Sequence, residues 1–281
     1  LLDGAPTDGP LPRYSLAGIS HKLALLRDEA GERWAMPTAS APSTHVIKPE
    51  AGEFPDLLHN ELFCMELARS IGLPVAEATL EEVDGRTCLV SRRFDREGGA
   101  RLHQEDFCQA LGFPRPDSAL DDAERRGPGF AEASGLLKAV DRPDAILLLL
   151  SLAFFNYVIG NGDGHGSNFS LLHEDGGTRL APFYDLASTV VYDIPVHVGM
   201  VVNEDYDQGV YLLEMGWISE ECGIDFDDLR MLAATVARRV GDALGPMADR
   251  ARAEGWHAPV IDDIVDLAGE RASGLGFEAD Y

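Results

Sequence analysis

Residues 160–170 read GNGDGHGSNFS and directly follow the longest apolar run of the chain, AILLLLSLAFFNYVIG at residues 145–160. The run has polar interruptions and falls short of the ~20 residues that cross a bilayer, so it predicts a helix buried in a protein core and no membrane span. The glycine-rich segment predicts a loop held at the end of this helix. Within the loop, Asp163 and Asn168 lie five residues apart.

A second acid follows this loop. Asp185, in the stretch PFYD, lies 17 residues beyond Asn168, at the far end of a predicted hairpin with a Gly-Gly turn. Each of these residues alone is interpreted more simply as a turn stabiliser, but their joint spacing matches what phosphoryl transfer needs. One carboxylate orients the nucleophilic hydroxyl, and an amide oxygen and a second carboxylate hold the Mg²⁺ that bridges nucleotide phosphates. The set therefore predicts a phosphoryl-transfer site.

Such a site also needs a cation for the phosphates, placed on a strand. The stretch THVI at residues 44–47 is β-branched and apolar, and it predicts a strand that ends at Lys48. A partly buried lysine requires an acidic partner. Glu61, early in the helix predicted over residues 57–71, is the candidate, and Glu66 is less favoured by position.

Two further features belong to the predicted nucleotide site. The segment SLAGISHK, residues 15–22, places a turn containing Gly18 before the first predicted strand. Backbone N–H groups of such a turn can bind phosphate, although the segment has neither GxGxxG nor the Walker pattern. His165, in the later loop, is predicted to be a hydrogen-bonded scaffold residue of this site. The histidines and cysteines show no zinc-ligand spacing.

The pattern along the chain predicts an α+β protein, with a small β-rich lobe followed by a mainly helical lobe. Strands are predicted over residues 23–26, 34–36 and 44–47, and a hairpin of 75–82 with 87–90 around Asp84-Gly85. Helices are predicted over 57–71, 105–111, 131–140, 143–159, 226–244, 246–254 and 261–271. The expected organisation is a tail over 1–12, an N-lobe over 13–96 and a helical C-lobe over 97–281.

The composition of the chain argues against some classes of function. The chain has 281 residues, of which 45% are hydrophobic and 25% charged, with a formal net charge of −25. A surface this acidic repels phosphate backbones and anionic lipids, which argues against direct nucleic-acid or membrane binding. Four cysteines without a CxxC pattern indicate reduced thiols, and we expect a cytoplasmic protein. Because residue 1 is Leu, further sequence is expected upstream of it.

Together these stretches resemble the HipA family, the toxin kinases of bacterial toxin–antitoxin modules. The similarity runs in family order over about residues 13–190, and its most specific part is GDGHxxNFS followed by PFYD. The matching stretches are SLAGISHKLALL (15–26), STHVIK (43–48), NELFCMELARSIGL (60–73), RRFDR (92–96), HQEDFCQALG (103–112), GNGDGHGSNFS (160–170) and LAPFYDLAS (180–188).

The resemblance implies a two-lobed, protein-kinase-like fold and Mg-ATP-dependent phosphorylation of serine or threonine. By position it identifies Asp163 as the catalytic aspartate, Asn168 and Asp185 as ligands of Mg²⁺, and Lys48 as the lysine that contacts the ATP phosphates.

The resemblance also assigns the adenine hinge and a regulatory serine. The segment from Arg92 to Phe94 matches the hinge, which binds adenine largely through backbone groups, although Arg92 stands where some members carry an acid. Ser15 matches the serine that family members autophosphorylate, a modification that expels the ATP loop and inactivates the kinase. Ser20 is the rival site in the same loop.

Partners and alternatives follow from the same resemblance. The family's cognate antitoxin is a small helix-turn-helix DNA-binding protein of the HipB type, and its substrates suggest a translation factor such as an aminoacyl-tRNA synthetase. Family members often carry an extra β-rich segment before the kinase core, of which this chain has at most a remnant in residues 1–12.

Two alternatives stay open: a small-molecule kinase of the aminoglycoside or choline type, and an inactive pseudokinase that acts as a binding module.

Overall fold

The structure is a computed structural model of the chain. It describes residues 22–28, 31, 33–52, 54–113, 127–140, 142–192 and 215–279. Ser15, Gly18 and Ser20 lie outside the described residues. Among the described helices, none is long and apolar enough to cross a membrane. The four cysteines, all described, are buried and form no disulfide.

An antiparallel sheet of five strands forms the first lobe, in the order β2-β1-β3-β5-β4. Asp84 and Gly85 both have positive φ, 53° and 72°, which is the geometry of a tight hairpin turn and confirms the predicted hairpin. The helix α1 lies between β3 and β4 in sequence and contacts β4 and β5. The bounds are Leu23–Arg27 (β1), Trp34–Ala35 (β2), His45–Pro49 (β3), Leu57–Ser70 (α1), Ala78–Val83 (β4) and Arg86–Arg92 (β5).

Helices dominate the second lobe, as predicted. The helix α4 is apolar on every side and is correspondingly buried, which confirms the interpretation of the longest apolar run. It packs against the two long C-terminal helices, which also pack against each other. The bounds are Phe107–Leu111 (α2), Phe130–Ala139 (α3), Ala145–Ile159 (α4), Met215–Cys222 (α5), Phe226–Glu254 (α6) and Pro259–Ala279 (α7).

A second antiparallel sheet lies within the helical lobe, in the order β10-β9-β8. The hairpin of β9 and β10 was predicted, but its pairing with β8 was not. A short two-stranded ribbon, also not predicted, precedes it. The bounds are Arg96–Glu97 (β6), Ala100–Arg101 (β7), His103–Asp106 (β8), Ser170–Glu174 (β9) and Gly177–Leu180 (β10).

Three predicted helix boundaries are wrong. The helix expected to end at residue 271 continues to Ala279, because Ala272 and Leu275 beyond that point are buried in the core. The helix expected from Glu105 begins only after Asp106, because Asp106 caps it: its carboxylate accepts from the Gln109 N–H, and the Gln109 side chain accepts from the Asp106 N–H. The break expected before Pro246 is absent, and α6 continues through it. Buried residues on both sides of Pro246, including Leu244 and Met247, pack into the core and offset the lost backbone hydrogen bond.

The end of α4 requires glycine. Gly160 has φ of 71° and caps the helix. A Cβ atom there would lie 2.9 Å from Leu267 Cδ2 and 3.1 Å from Val190 Cβ. Only a residue without a side chain allows α7 and the segment around Val190 to approach this closely. The GNGDGHG loop therefore leaves α4 at a fixed position.

Asn60 joins the two lobes from inside the core. It is fully buried on α1, and its Oδ1 accepts from the Ser188 N–H at 2.8 Å while its Nδ2 donates to the Ser188 carbonyl at 2.8 Å. Nδ2 also lies 3.3 Å from Tyr192 Oη. One amide side chain thus satisfies both backbone groups of Ser188 and holds α1 against the segment that follows β10.

Replacing Asn60 with alanine is expected to lower the free energy of unfolding, because the Ser188 N–H and C=O are left buried without partners. Each such group costs about 1–3 kcal/mol. Urea unfolding followed by circular dichroism measures the change. Tyr192→Phe, which removes only the longer contact to Asn60 and an exposed bond to the Pro55 carbonyl, is the control and should cost less. Equal stability of Asn60→Ala and wild type contradicts this role.

Candidate active site

Lys48 and Glu61 form an ion pair that links the first sheet to α1. Lys48 Nζ donates to Glu61 Oε2 at 2.6 Å, and the two side chains are only 12% and 6% exposed. The predicted partner is therefore present. Glu66, the less favoured candidate, instead binds Arg69 and Arg250 on the surface of the helix.

Asp185 extends this pair into a cluster of four charges. Its Oδ2 accepts a hydrogen bond from Lys22 Nζ at 2.8 Å, and its Oδ1 lies 3.6 Å from Lys48 Nζ. We call Lys22, Lys48, Glu61 and Asp185 the charge cluster. Its four members come from the residue just before β1, β3, α1 and the segment after β10. Burial raises the pKa of the Glu61 carboxyl, and the neighbouring Lys48 opposes this effect.

Lys22 is a member of the cluster that the sequence pattern did not reveal. In the sheet, Leu23 pairs with Ile47, so the register places Lys22 beside Lys48 at the next position. Two lysines side by side on neighbouring strands repel each other unless an anion lies between them. Here Asp185 is that anion. The sequence shows this lysine at the end of SLAGISHK. Its position beside Lys48, however, follows only from the strand register.

The charged groups of the cluster shift one another's pKa values. Burial lowers the pKa of Lys48, but the carboxylates of Glu61 and Asp185 outweigh it, so the pKa is raised. Burial likewise raises the pKa of Asp185, and the ammonium groups of Lys22 and Lys48 outweigh it, so that pKa is lowered. Lys48 and Asp185 are therefore both charged at neutral pH.

The backbone at Asp185 is strained. Its φ is 59°, in the left-handed region that residues other than glycine seldom adopt. Three residues later, Ser188 is fixed by Asn60 through both of its backbone groups. Strain of this kind persists only where surrounding contacts impose it, and it concentrates at functional sites. The contacts here direct the Asp185 carboxylate towards the two lysines.

The GNGDGHG loop is held by side chains that bond its backbone. The Asp163 N–H donates to Asn161 Oδ1 at 3.0 Å, and the Gly162 N–H donates to Thr189 Oγ1 at 2.9 Å. Asn168 Nδ2 donates to the Asp163 carbonyl at 2.7 Å. This last bond places Asn168 against the backbone of Asp163 and leaves the amide oxygen as its ligating atom.

Asp163 faces the charge cluster. Its side chain is 64% accessible to water, and the protein atoms around it still reduce its solvation. This desolvation raises the pKa of Asp163, and the negative charge of Asp185 adds to the effect, whereas His165, Lys22 and Lys48 oppose it. The GNGDGHG loop therefore lies within electrostatic range of the charge cluster.

His165 lies beside Asp163 in the same loop. Its Nε2 is 3.4 Å from Asp163 Oδ1. Its Nδ1 is buried and has no hydrogen-bond partner among the described residues. A buried polar atom without a partner is uncommon, and here it lies in the loop that carries Asp163. Among the described residues, His165 thus contacts Asp163 through Nε2 and leaves Nδ1 without a hydrogen bond, and its scaffold role stays a prediction.

Arg92 and Phe94, the two residues predicted to belong to an adenine hinge, differ in their surroundings. Phe94 stacks on Tyr184, the neighbour of Asp185, with ring centroids 5.5 Å apart. Arg92 directs its side chain to Glu77, at 3.2 Å, and is 68% exposed. Its backbone N–H donates to the Glu77 carbonyl at 2.9 Å. The Arg92 side chain is therefore engaged on the surface, and Phe94 is the member of the pair that packs next to the charge cluster.

The donor set fits Mg²⁺ and a nucleotide. Asp185 already holds two ammonium groups, which shows that its position attracts cations. Carboxylate and amide oxygens from Asp185 and Asn168 are ligands that Mg²⁺ prefers, and it needs few from the protein because phosphate and water supply the rest. Lys22 and Lys48 offer positive charge for phosphate oxygens.

Comparison with known proteins places the chain in a family. The sequence model of the HipA-like C-terminal domain matches residues 14–253. The chain is 39% identical to "Putative kinase Y4mE" of Sinorhizobium fredii, an alignment that covers 95% of this chain and 63% of that protein. It is 30% identical to the serine/threonine-protein kinase toxin HipA of Shewanella oneidensis, over 83% of this chain and 57% of the toxin.

Solved structures agree with the sequence. The HipA chain from the Shewanella oneidensis complex of HipA, HipB and operator DNA superposes with a TM-score of 0.73 at 26% identity, covering 98% of this chain and 67% of that one. The Helicobacter pylori proinflammatory kinase CtkA has the same fold, with a TM-score of 0.56 at 12% identity over 88% of this chain and 93% of CtkA. These similarities confirm the predicted α+β, two-lobed, protein-kinase-like fold.

The chain spans about three fifths of the length of the curated relatives named above, with 63% of Y4mE and 57% of the Shewanella toxin covered. The match to the family nevertheless includes every segment that forms the charge cluster and the GNGDGHG loop. The chain therefore belongs to the HipA family of kinases.

Proposed function

We propose that the protein is an ATP-dependent serine/threonine kinase that transfers the γ-phosphate to a protein hydroxyl. The observation that carries the proposal is the charge cluster facing Asp163: two lysines and a metal-competent carboxylate lie next to a carboxylate suited to orient a hydroxyl. The Shewanella relative, which is named as a serine/threonine-protein kinase toxin, supports the substrate class.

Each residue has a task that its surroundings support. Asp163, with its raised pKa, accepts a hydrogen bond from the substrate hydroxyl and orients it. When the nucleotide enters, Lys22 and Lys48 release the Asp185 carboxylate and bind phosphate oxygens instead. Glu61 keeps Lys48 in place. Mg²⁺, when bound, neutralises the phosphate charge that develops during transfer. Asn168 and Asp185 would hold the ion, and Phe94 and Arg92 belong to the adenine hinge.

The toxin role and the partner are part of the same proposal. A solved relative is a HipA with HipB and operator DNA, and we propose an antitoxin of the HipB type for this protein. With a net charge of −25, the chain itself is unsuited to DNA and would reach it through such a partner. The proposed substrate is a translation protein, such as an aminoacyl-tRNA synthetase, and the proposed compartment is the cytoplasm.

The proposal also includes regulation of the kinase through Ser15. A phosphoserine carries about −1.5 to −2 charges at neutral pH. The segment that contains Ser15 and Gly18 leads directly into Lys22, which contacts Asp185. A phosphate on this segment would compete for Lys22 and Lys48 and repel the nucleotide. We therefore propose that phosphorylation of Ser15 inactivates the kinase.

Replacing Asp163 with asparagine is expected to lower phosphoryl transfer by about 10²–10⁴-fold, because the isosteric amide cannot accept the hydroxyl proton. ATP binding should persist. The assay is transfer of labelled phosphate to proteins of a cell extract, with amino sugars and choline as separate substrates. Asp175→Asn, in the exposed turn between β9 and β10, is the control and should keep wild-type activity. Transfer to the small molecules alone supports the small-molecule kinase instead.

Replacing Asp185 with asparagine should abolish the Mg²⁺ dependence of ATP binding, since the ion loses an anionic ligand while the size of the side chain is preserved. Calorimetric titration with ATP, with and without Mg²⁺, measures this. Wild type should bind more tightly with Mg²⁺ and the variant should not. A variant with the Mg²⁺ dependence of wild type would place the metal site elsewhere.

After incubation of wild type with Mg-ATP, mass spectrometry should find phosphate on Ser15, and the modified protein should lose ATP binding. Ser15→Ala should remain active for longer than wild type, whereas Ser20→Ala should behave like wild type. Phosphate confined to Ser20, or tight ATP binding by protein phosphorylated on Ser15, contradicts the proposed switch.

A further inference from the structure

A cluster of metal-ligating side chains lies on the second sheet, outside the charge cluster. His103 and Glu105 are two residues apart on β8 and therefore point to the same face of the strand. His173, on β9, is the register partner of His103. The two imidazole rings stack with their centroids 5.1 Å apart. Residues distant in sequence thus present two imidazoles and one carboxylate to the same side of the sheet.

Their ligating atoms converge. The Glu105 carboxylate lies near one nitrogen of each ring, with Oε2 at 2.9 Å from His173 Nε2 and Oε1 at 3.8 Å from His103 Nε2. One ligand atom from each residue lies within 4.8 Å of the others. Ligands about 2.1 Å from one ion are at most about 4.2 Å apart. Small side-chain rotations would bring the three atoms onto one ion.

A neighbouring residue orients the site. His173 Nδ1 is 3.0 Å from Thr178 Oγ1 on β10, the strand on the other side of β9. Metal-ligating histidines characteristically bind through one ring nitrogen while the other is hydrogen-bonded, which fixes the ring. Thr178 performs this function for His173 and directs Nε2 towards Glu105. The side chains of Glu105 and His173 are 36% and 31% exposed, so the cluster is partly shielded but open to solvent.

We propose that His103, Glu105 and His173 form a binding site for a divalent first-row transition metal, with Zn²⁺ as the representative ion. Imidazole nitrogens favour zinc and its neighbours over Mg²⁺ and Ca²⁺, which prefer oxygen ligands. Two histidines and one glutamate leave a fourth position for water, as in open zinc sites. The protein's charge of −25 attracts cations to its surface.

The position of the site gives it a structural consequence. β8 runs directly into α2. In α2, Cys108 Sγ lies 3.4 Å from Oγ of Ser167, the residue that follows the GNGDGHG loop. β9 begins two residues after Asn168. An ion bound by His103, Glu105 and His173 would therefore link β8 to β9, the two strands that lead to the GNGDGHG loop. The site does not depend on the proposed kinase function, because none of its three ligands belongs to the charge cluster.

The experiment titrates ZnCl₂ into the full chain in the presence of a chromophoric chelator and excess Mg²⁺. Wild type should bind one Zn²⁺ with high affinity and unfold at a higher temperature when loaded. His103→Ala should weaken binding by at least 10-fold, and His103 is 68% exposed, so its removal leaves the fold intact. Thr178→Val should weaken binding by about 10-fold, as loss of an orienting partner typically does.

The control addresses the other group of ligating atoms on the described surface, formed by Glu50, Asp56 and His59. His59→Ala should bind Zn²⁺ as wild type does. Two results would overturn the proposal: no stoichiometric Zn²⁺ binding to wild type, or binding that His103→Ala leaves unchanged. If His59→Ala, and not His103→Ala, abolishes binding, the ion belongs to that other group.

Discussion

Neutralisation of buried charge is the constraint on which the site depends. Lys48 and Glu61 are almost wholly buried, and a buried charge is tolerated only when it is paired and hydrogen-bonded. Asp185 and Lys22 complete the cluster, so four separate segments must meet for any of them to be stable. Removing one member would leave an uncompensated charge at a cost of about 3–5 kcal/mol. The same cations that stabilise the cluster suit phosphate oxygens.

The GNGDGHG loop is positioned by elements that contribute no candidate site residue. α4 is apolar on every side and mostly buried, and it ends at Gly160, where α7 approaches too closely for any side chain. The side chains of Asn161 and Thr189 then accept hydrogen bonds from the N–H groups of Asp163 and Gly162 respectively, and Asn60 holds the segment that carries Asp185. A glycine-rich loop with few apolar side chains has no core of its own, so its shape must come from these neighbours.

Local patterns predicted most elements because their signals are short-range. The hairpin at Asp84-Gly85 and the apolar helix that ends at Gly160 follow from turn chemistry and periodicity. The prediction was wrong where two local signals competed. Asp106 is compatible with a helix but caps it instead, and Pro246 usually ends a helix but lies in one whose buried face continues past it. In both cases hydrogen bonding or packing outweighed propensity.

By itself, the sequence determined the α+β class, the order of the two lobes and most of the candidate site, because Lys48, Asp163, Asn168 and Asp185 lie in stretches whose spacing along the chain is informative. Only the tertiary structure decided the role of Lys22 and the grouping of two histidines with Glu105. Those arrangements depend on strand register, β1 against β3 and β8 against β9. Register is set by packing between segments as much as 70 residues apart, and no local pattern records it.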